Sequence, residues 1–184
     1  MNAPVAGPPM ETLRALMAEE VTHVVGLPDN TLGPLFDLLL GHETVTLVTV
    51  TREGEAFAVA SGLWLGGASP LVAIQSTGLL EAGDSLRGTA LRMAAPIPMI
   101  VSGRGYAKMR RADLTPDVDR TLELLTRADV DSAALFTEPT LDAWGVPYLR
   151  CEGATDPAAA IVETIRAARK HERPTAVVLA RALT

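Results

Sequence analysis

The sequence predicts an α/β domain: a doubly wound, mainly parallel six-stranded sheet with helices on both faces. Short apolar runs alternate with helix-like segments along the chain, the order that builds parallel β-α-β units. The strands read as continuous apolar stretches, as in Leu71-Val-Ala-Ile and Ala176-Val-Val-Leu, rather than as alternating apolar and polar positions. Strands of that kind are covered on both faces. With 48 % apolar residues, few aromatics and ordinary charge, 184 residues can fill a sizeable core in one domain, expected over residues 10–184.

A helix over Glu11–Glu19 precedes a strand at Thr22–Leu27, and a second helix spans Thr31–Leu40. The β-branched run Val45–Val50 is the next strand. It leads into a helix of small and apolar residues from Arg52 to Gly66. Strand Leu71–Gln75, a helix over Leu79–Met93 and strand Pro98–Ser102 follow. Gly103–Asp117 is polar and forms the longest irregular segment. Helices are expected over Val118–Ala128, Val130–Phe136 and Leu141–Trp144, then a strand at Pro147–Cys151. Asp156 before Pro157 is a helix start, because an aspartate caps free N–H groups and proline suits the first position. Lys170, His171 and Arg173 lie towards the end of that helix, where cations suit its dipole. Thr175–Ala180 is the last strand.

Composition removes several function classes. A net charge of −6 opposes a nucleic-acid-binding surface. Cys151 is the single cysteine, so neither a disulfide framework nor a cysteine metal cluster is expected, and His23, His42 and His171 have no metal-ligand spacing. There is no Walker loop, no G-x-G-x-x-G and no G-x-S-x-G elbow. Residues 1–9 lack the charged and apolar regions of a signal peptide and read as a disordered tail. The apolar stretches fall short of a membrane span, so the expectation is a cytoplasmic protein.

In such a sheet, ligands bind outside the carboxyl ends of the strands. Asp29, Glu53, Thr77 and Arg104 all fall just after predicted strands and would gather along that edge. Glu53 shares a helix face with Phe57, Ala60 and Trp64, so its carboxylate is aimed at packed surface, a costly place for a charge without a partner. That makes it a candidate catalytic group. A carboxylate stabilised by the dipole at a helix N-terminus is the plainer explanation on the residues alone, and Glu55, facing Val59 and Gly62, is a rival.

The run Val48-Thr-Val-Thr-Arg-Glu-Gly-Glu-Ala-Phe, with Gly62 nine residues after Glu53, resembles the segment of thiamine-diphosphate-dependent decarboxylases that carries their conserved glutamate. Val25-Gly-Leu-Pro-Asp-Asn-Thr-Leu-Gly, Gln75-Ser-Thr-Gly-Leu and Ser102-Gly-Arg-Gly-Tyr extend the likeness over roughly residues 10–180. Together they resemble the pyrimidine-binding domain of the phosphonopyruvate and sulfopyruvate decarboxylases, specifically the α-chain of the two-subunit kind. The resemblance implies a carboxy-lyase subunit that binds thiamine diphosphate. In such enzymes a carboxyl group hydrogen-bonds the N1′ atom of the pyrimidine, and the spacing to Gly62 assigns that role to Glu53 rather than Glu55. It also implies that Gly26, Pro28, Thr77, Gly78 and Leu79 border the cofactor. Asn30 and Arg104 would meet a small anionic 2-oxoacid, Arg104 presenting a planar fork between two glycines. Asp29 either relays a proton after decarboxylation or caps the following helix, two compatible roles.

Two departures accompany the likeness. Leu80-Glu81 replaces the Gly-Asn of the family, and Asp84 replaces a later Asn, which adds acids to a pocket meant for an anion. The Gly-Asp-Gly run and downstream Asn that hold Mg²⁺ and the diphosphate in this family have no counterpart: Gly83-Asp-Ser resembles only their start, and the asparagines are Asn2 and Asn30. A separate diphosphate-binding β-subunit would supply the Mg²⁺ site, with no metal ligands in this chain. Self-association to α2β2 or higher is expected from the apolar helix Ala56–Gly66. The alternatives are a non-catalytic regulatory or binding module that kept the fold, and a flavodoxin-like module.

Overall fold

A computed structural model describes residues 7–115, 117–180 and 183. The tail expected over residues 1–9 lies mostly outside these, but Pro8 and Pro9 open a helix, α1 (Pro8–Ala18). The fixed φ of proline suits the first helical turn, where its missing N–H is no loss. There follow β1 (His23–Gly26), α2 (Gly33–Leu39), β2 (Thr46–Thr49), α3 (Glu53–Leu65) and β3 (Pro70–Gln75). Then come α4 (Ser76–Glu81), α5 (Gly83–Ser85), a π-helical turn (Leu86–Leu91) and β4 (Pro98–Ser102). The chain continues through α6 (Tyr106–Arg111), α7 (Leu122–Leu125), α8 (Ser132–Ala143), β5 (Tyr148–Cys151), α9 (Pro157–His171) and β6 (Thr175–Leu179).

All six strands are parallel, in the order β2-β1-β3-β4-β6-β5. Two cores cover the two faces. Successive strand residues alternate between them: Val24, Leu71, Ile100 and Val177 face α1, α2 and α9, whereas Val25, Val72, Val101 and Val178 face the α3–α8 side. This alternation is why the strands read as unbroken apolar runs, since both pleat directions are dry. Chain direction reverses between β1 and β3, because β1 leads outward to β2 and β3 leads inward to β4. A crevice at that switch point is where ligands bind in open parallel sheets.

Four segments differ from the sequence expectation. The helix expected over Leu79–Met93 starts at Ser76, directly after β3, and breaks at Ala82 into α5 and the π-helical turn. Gly83 lies under the Trp144 ring, where a methyl group would stand 2.7 Å from the ring edge. The irregular Gly103–Asp117 segment contains α6, anchored by buried Tyr106 and Met109 one turn apart. The helix expected over Val118–Ala128 is reduced to α7, capped by Thr121, whose hydroxyl accepts from Leu124 N at 3.1 Å. Val130–Phe136 and Leu141–Trp144 are parts of one helix, α8, which continues through Pro139. Proline leaves the carbonyl four residues earlier without a helical donor. Here that carbonyl, Leu135 O, accepts from Arg120 Nε at 3.0 Å.

Candidate active site

The carboxyl ends of β2, β1, β3 and β4 stand side by side, and they bring Glu53, Asp29, Gln75 and Ser102 to one edge. Asp29 ties this edge together. Its Oδ1 accepts from Thr31 N and Leu32 N, both at 2.7 Å, closing the turn into α2. Its Oδ2 accepts from Gln75 Nε2 at 3.3 Å and from the Ser102 hydroxyl. Gln75 Oε1 in turn accepts from Thr77 Oγ1 at 2.8 Å. A hydrogen-bonded chain therefore runs Thr77–Gln75–Asp29–Ser102 across β3, β1 and β4, spanning the switch point. With four donors on its two oxygens, Asp29 is arranged as an acceptor that organises the edge. It caps the turn that leads into α2 rather than, as expected from the sequence, the helix itself, whose N-cap residue is Leu32 without a side-chain bond.

Glu53 is placed differently. It is the first residue of α3, half-buried, with Phe57 and Ala60 of the same face fully buried below it. Its carboxyl group lies against Gly78, where a methyl group would overlap Cγ, Cδ and Oε1. Gly78 is thus a cradle kept open by the lack of a side chain. Among the described residues no hydrogen bond or ion pair engages the Glu53 carboxylate.

Glu55 carries the local structural work. Its carboxylate accepts from Thr51 N at 3.0 Å and from Thr51 Oγ1, also at 3.0 Å, which ties the first turn of α3 back to the residue before its N-cap, Arg52. These bonds, the backbone one foremost, hold Glu55 below its ordinary carboxylate range. A carboxyl depressed on folding stabilises the fold above its unfolded-state pKa, near 4.5, and loses that contribution as pH falls through the folded value. The difference in urea midpoint between the unsubstituted chain and Glu55→Gln is therefore expected to shrink as pH falls from about 5 to about 3. A constant difference across that range would mean that the Thr51 bonds do not couple to folding.

The remaining expected residues divide by environment. Arg104 follows β4 with its side chain 60 % exposed, and Nε lies 3.7 Å from Asp131 Oδ2. Asp131 also caps α8 through Ala133 N, so it is a shared partner, and the terminal guanidinium nitrogens of Arg104 have no protein ligand among the described residues. Gly105 adopts φ +87° against the Asp131 side chain, a conformation and a spacing that exclude other residues. Tyr106 anchors the same loop from below: its hydroxyl donates to buried Glu138 Oε1 at 3.0 Å, and burial, then Glu138, raises its pKa so that it stays a donor. Lys108 and Arg110 of α6 donate to the backbone carbonyls of Val130 and Ala180.

Pro28, Asn30 and Thr77 are exposed at the edge, while Leu79 is fully buried in the core below it. Gly26 ends β1 and is buried; a side chain there would overlap the Ala73 carbonyl of β3. Gln75 and Ser102 are site residues that sequence reading passed over, although both sit inside motifs it used. Their signal was a polar residue closing an otherwise apolar strand. Glu81, one of the two acids that depart from the family pattern, is neutralised by Arg52, while Asp84 is fully exposed beside Arg87. Among the described residues no group of three or more His, Cys, Asp or Glu is placed to hold a metal, and no helix is long and apolar enough to cross a membrane.

Residues 11–122 match the family described as "Thiamine pyrophosphate enzyme, N-terminal TPP binding domain". The chain is 38 % identical over 91 residues to a phosphonopyruvate decarboxylase of Streptomyces hygroscopicus, covering 50 % of this chain but only 22 % of that protein. It is 26 % identical over 117 residues to the sulfopyruvate decarboxylase subunit alpha of Methanococcus maripaludis, covering 64 % of this chain and 70 % of that subunit. In fold it is similar to a benzoylformate decarboxylase from Polynucleobacter necessarius, with a TM-score of 0.67 at 19 % identity, over 95 % of this chain and 30 % of that one.

Proposed function

We propose, for a chain that belongs to the thiamine pyrophosphate enzyme family and carries its N-terminal TPP-binding domain, that it is the α-subunit of a two-component 2-oxoacid decarboxylase, working in the cytoplasm. The observation that carries this reading is the unpartnered Glu53 carboxyl seated on Gly78. A carboxyl group left without a protein partner at a strand-end crevice is available to a ligand nitrogen, and Gly78, lacking a side chain, is what lets the carboxyl seat there. The residues present therefore fit a pyrimidine ring. When bound, thiamine diphosphate supplies the electron sink for loss of CO₂.

Within that reading Glu53 would hold a proton at the pyrimidine N1′, and Gly78 gives the carboxyl its seat. Asp29, Gln75 and Ser102 keep the β1, β3 and β4 ends in register and border the substrate, with Asn30 beside them. Arg104 offers its free guanidinium nitrogens to the anionic tail of a 3-sulfo- or 3-phosphonopyruvate. In this reading the diphosphate and its Mg²⁺ fall to a separate β-subunit; these 184 residues carry no Gly-Asp-Gly with a downstream asparagine. The match to most of a protein named as a subunit alpha supports that division. The outward face of α3, with Val59 and the 68 % exposed Leu65 beside Ala58 and Gly62, supports association with further subunits.

The test is reconstitution. The chain by itself is expected to bind thiamine diphosphate weakly and to lack decarboxylase activity. Mixing it with the product of a neighbouring gene that carries the Gly-Asp-Gly motif is expected to produce both. Calorimetry showing tight, Mg²⁺-dependent binding to the chain alone would overturn the two-component reading. A reconstituted complex that binds cofactor but decarboxylates no 2-oxoacid would favour the non-catalytic module.

A further inference from the structure

We infer that the ion pair between Arg52 and Glu81 is a positioning device for Glu53, and that Gly54 leaves room for its close approach. The inference rests on the reading of Glu53 proposed above. Arg52 is the residue before α3, and Glu81 is the last residue of α4. Arg52 Nε donates to Glu81 Oε1 at 2.8 Å, and a terminal nitrogen of the same guanidinium contacts that oxygen too. Gly78 lies one turn before Glu81, so the two share a face of α4. The start of α3 therefore meets that face through consecutive residues. Arg52 binds Glu81, Glu53 rests on Gly78, and Gly54 lies beside Glu81, where a methyl group would stand 3.0 Å from both carboxylate oxygens.

Glycine near the start of a helix is otherwise a poor choice. In the run Arg-Glu-Gly-Glu it leaves room for the close approach of Glu81, a residue that replaces the Asn of the resembling pattern. The acid that looked out of place in an anion pocket thus has a local partner and a local use. Glu81 first, and Glu55 after it, raise Arg52 above its ordinary range; Glu53 is not among the groups that do so. Arg52, next to Glu53 in sequence, is thus paired with Glu81, and among the described residues no hydrogen bond or ion pair engages the Glu53 carboxyl. With Arg52 at 69 % and Glu81 at 31 % side-chain exposure, the pair adds little to stability. Its consequence is direction: it sets where the first turn of α3 sits on α4, and small displacements of a reacting group lower turnover steeply.

The test uses the reconstituted complex and the free chain in parallel. Glu81→Gln and Gly54→Ala are expected to lower kcat about fivefold with substrate KM unchanged, on the scale of a misplaced but intact catalytic group. The exchanged pair Arg52→Glu with Glu81→Arg is expected to recover at least half of the original kcat. In the free chain, the Gly78 amide resonance is expected to shift in Glu81→Gln and to return in the exchanged pair, because it reports the seat of Glu53. If Glu81→Gln leaves both kcat and the Gly78 resonance unchanged, the pair is a surface contact only and the inference falls. If Glu53→Gln cripples the complex while Glu81→Gln does not, the inference fails and the functional reading stands. If Glu53→Gln is itself silent, both fall.

Discussion

Glu53→Gln is expected to lower turnover of the reconstituted complex by at least about a hundredfold, while Glu55→Gln leaves it within a few-fold of the original. A hundredfold loss corresponds to about 2.7 kcal/mol of transition-state stabilisation. The amide keeps the size of the side chain and its place against Gly78, so the fold has no reason to respond. What it removes is the ability to hold a shared proton at a ring nitrogen. The contrast with Glu55 follows from occupancy. Both acids lie in the first turn of α3, yet Glu55 is bound by the Thr51 N–H and hydroxyl, and Glu53 has no protein partner among the described residues. Steady-state kinetics of the two variants decide the assignment. Equal effects, or a larger one at Glu55, would show that the carboxyl on Gly78 is not the acting group.

Arg104→Ala is expected to change the ratio of kcat/KM for an anionic 2-oxoacid over that for pyruvate by roughly ten- to a hundredfold, the worth of a charge-assisted contact. Among the described residues the guanidinium is positioned by one long ion pair, to Asp131, and it is flanked by Gly103 and Gly105; its terminal nitrogens have no protein ligand there. Arg104→Lys is expected to recover only part of the ratio, since an ammonium cannot reproduce a planar fork. The substitution leaves the Asp29–Gln75–Ser102 chain in place, so turnover of pyruvate serves as the internal reference. An unchanged ratio would make Arg104 a solvated partner of Asp131 and direct attention to substrates without a second negative group.

The parallel, doubly wound sheet was legible because both of its faces are dry. Every strand had to be apolar at consecutive positions, and that pattern survives in one dimension. A short helix, and a helix that continues through a proline, were not legible in the same way. α6 is stabilised by Tyr106 and Met109 reaching across to other elements, and α8 runs through Pro139 because Arg120, nineteen positions upstream, takes the role of the lost donor. Neither partner is local in sequence, so local periodicity could not announce them.

For the candidate site, residue type and strand-end position determined that Glu53, Asp29, Thr77 and Arg104 would collect at one edge. Sequence left Glu53 and Glu55 nearly equal by periodicity, and it made Glu81 look like an obstacle. Tertiary structure separated them: it placed Thr51 on Glu55, Gly78 under Glu53, and Arg52 on Glu81. It also recruited Gln75 and Ser102 to Asp29 from strands 46 and 73 residues away. The physical reason is the range of the forces involved. Burial patterns are averaged over a whole element and can be read along the chain, whereas a hydrogen bond depends on a few tenths of an ångström between groups that only folding brings together.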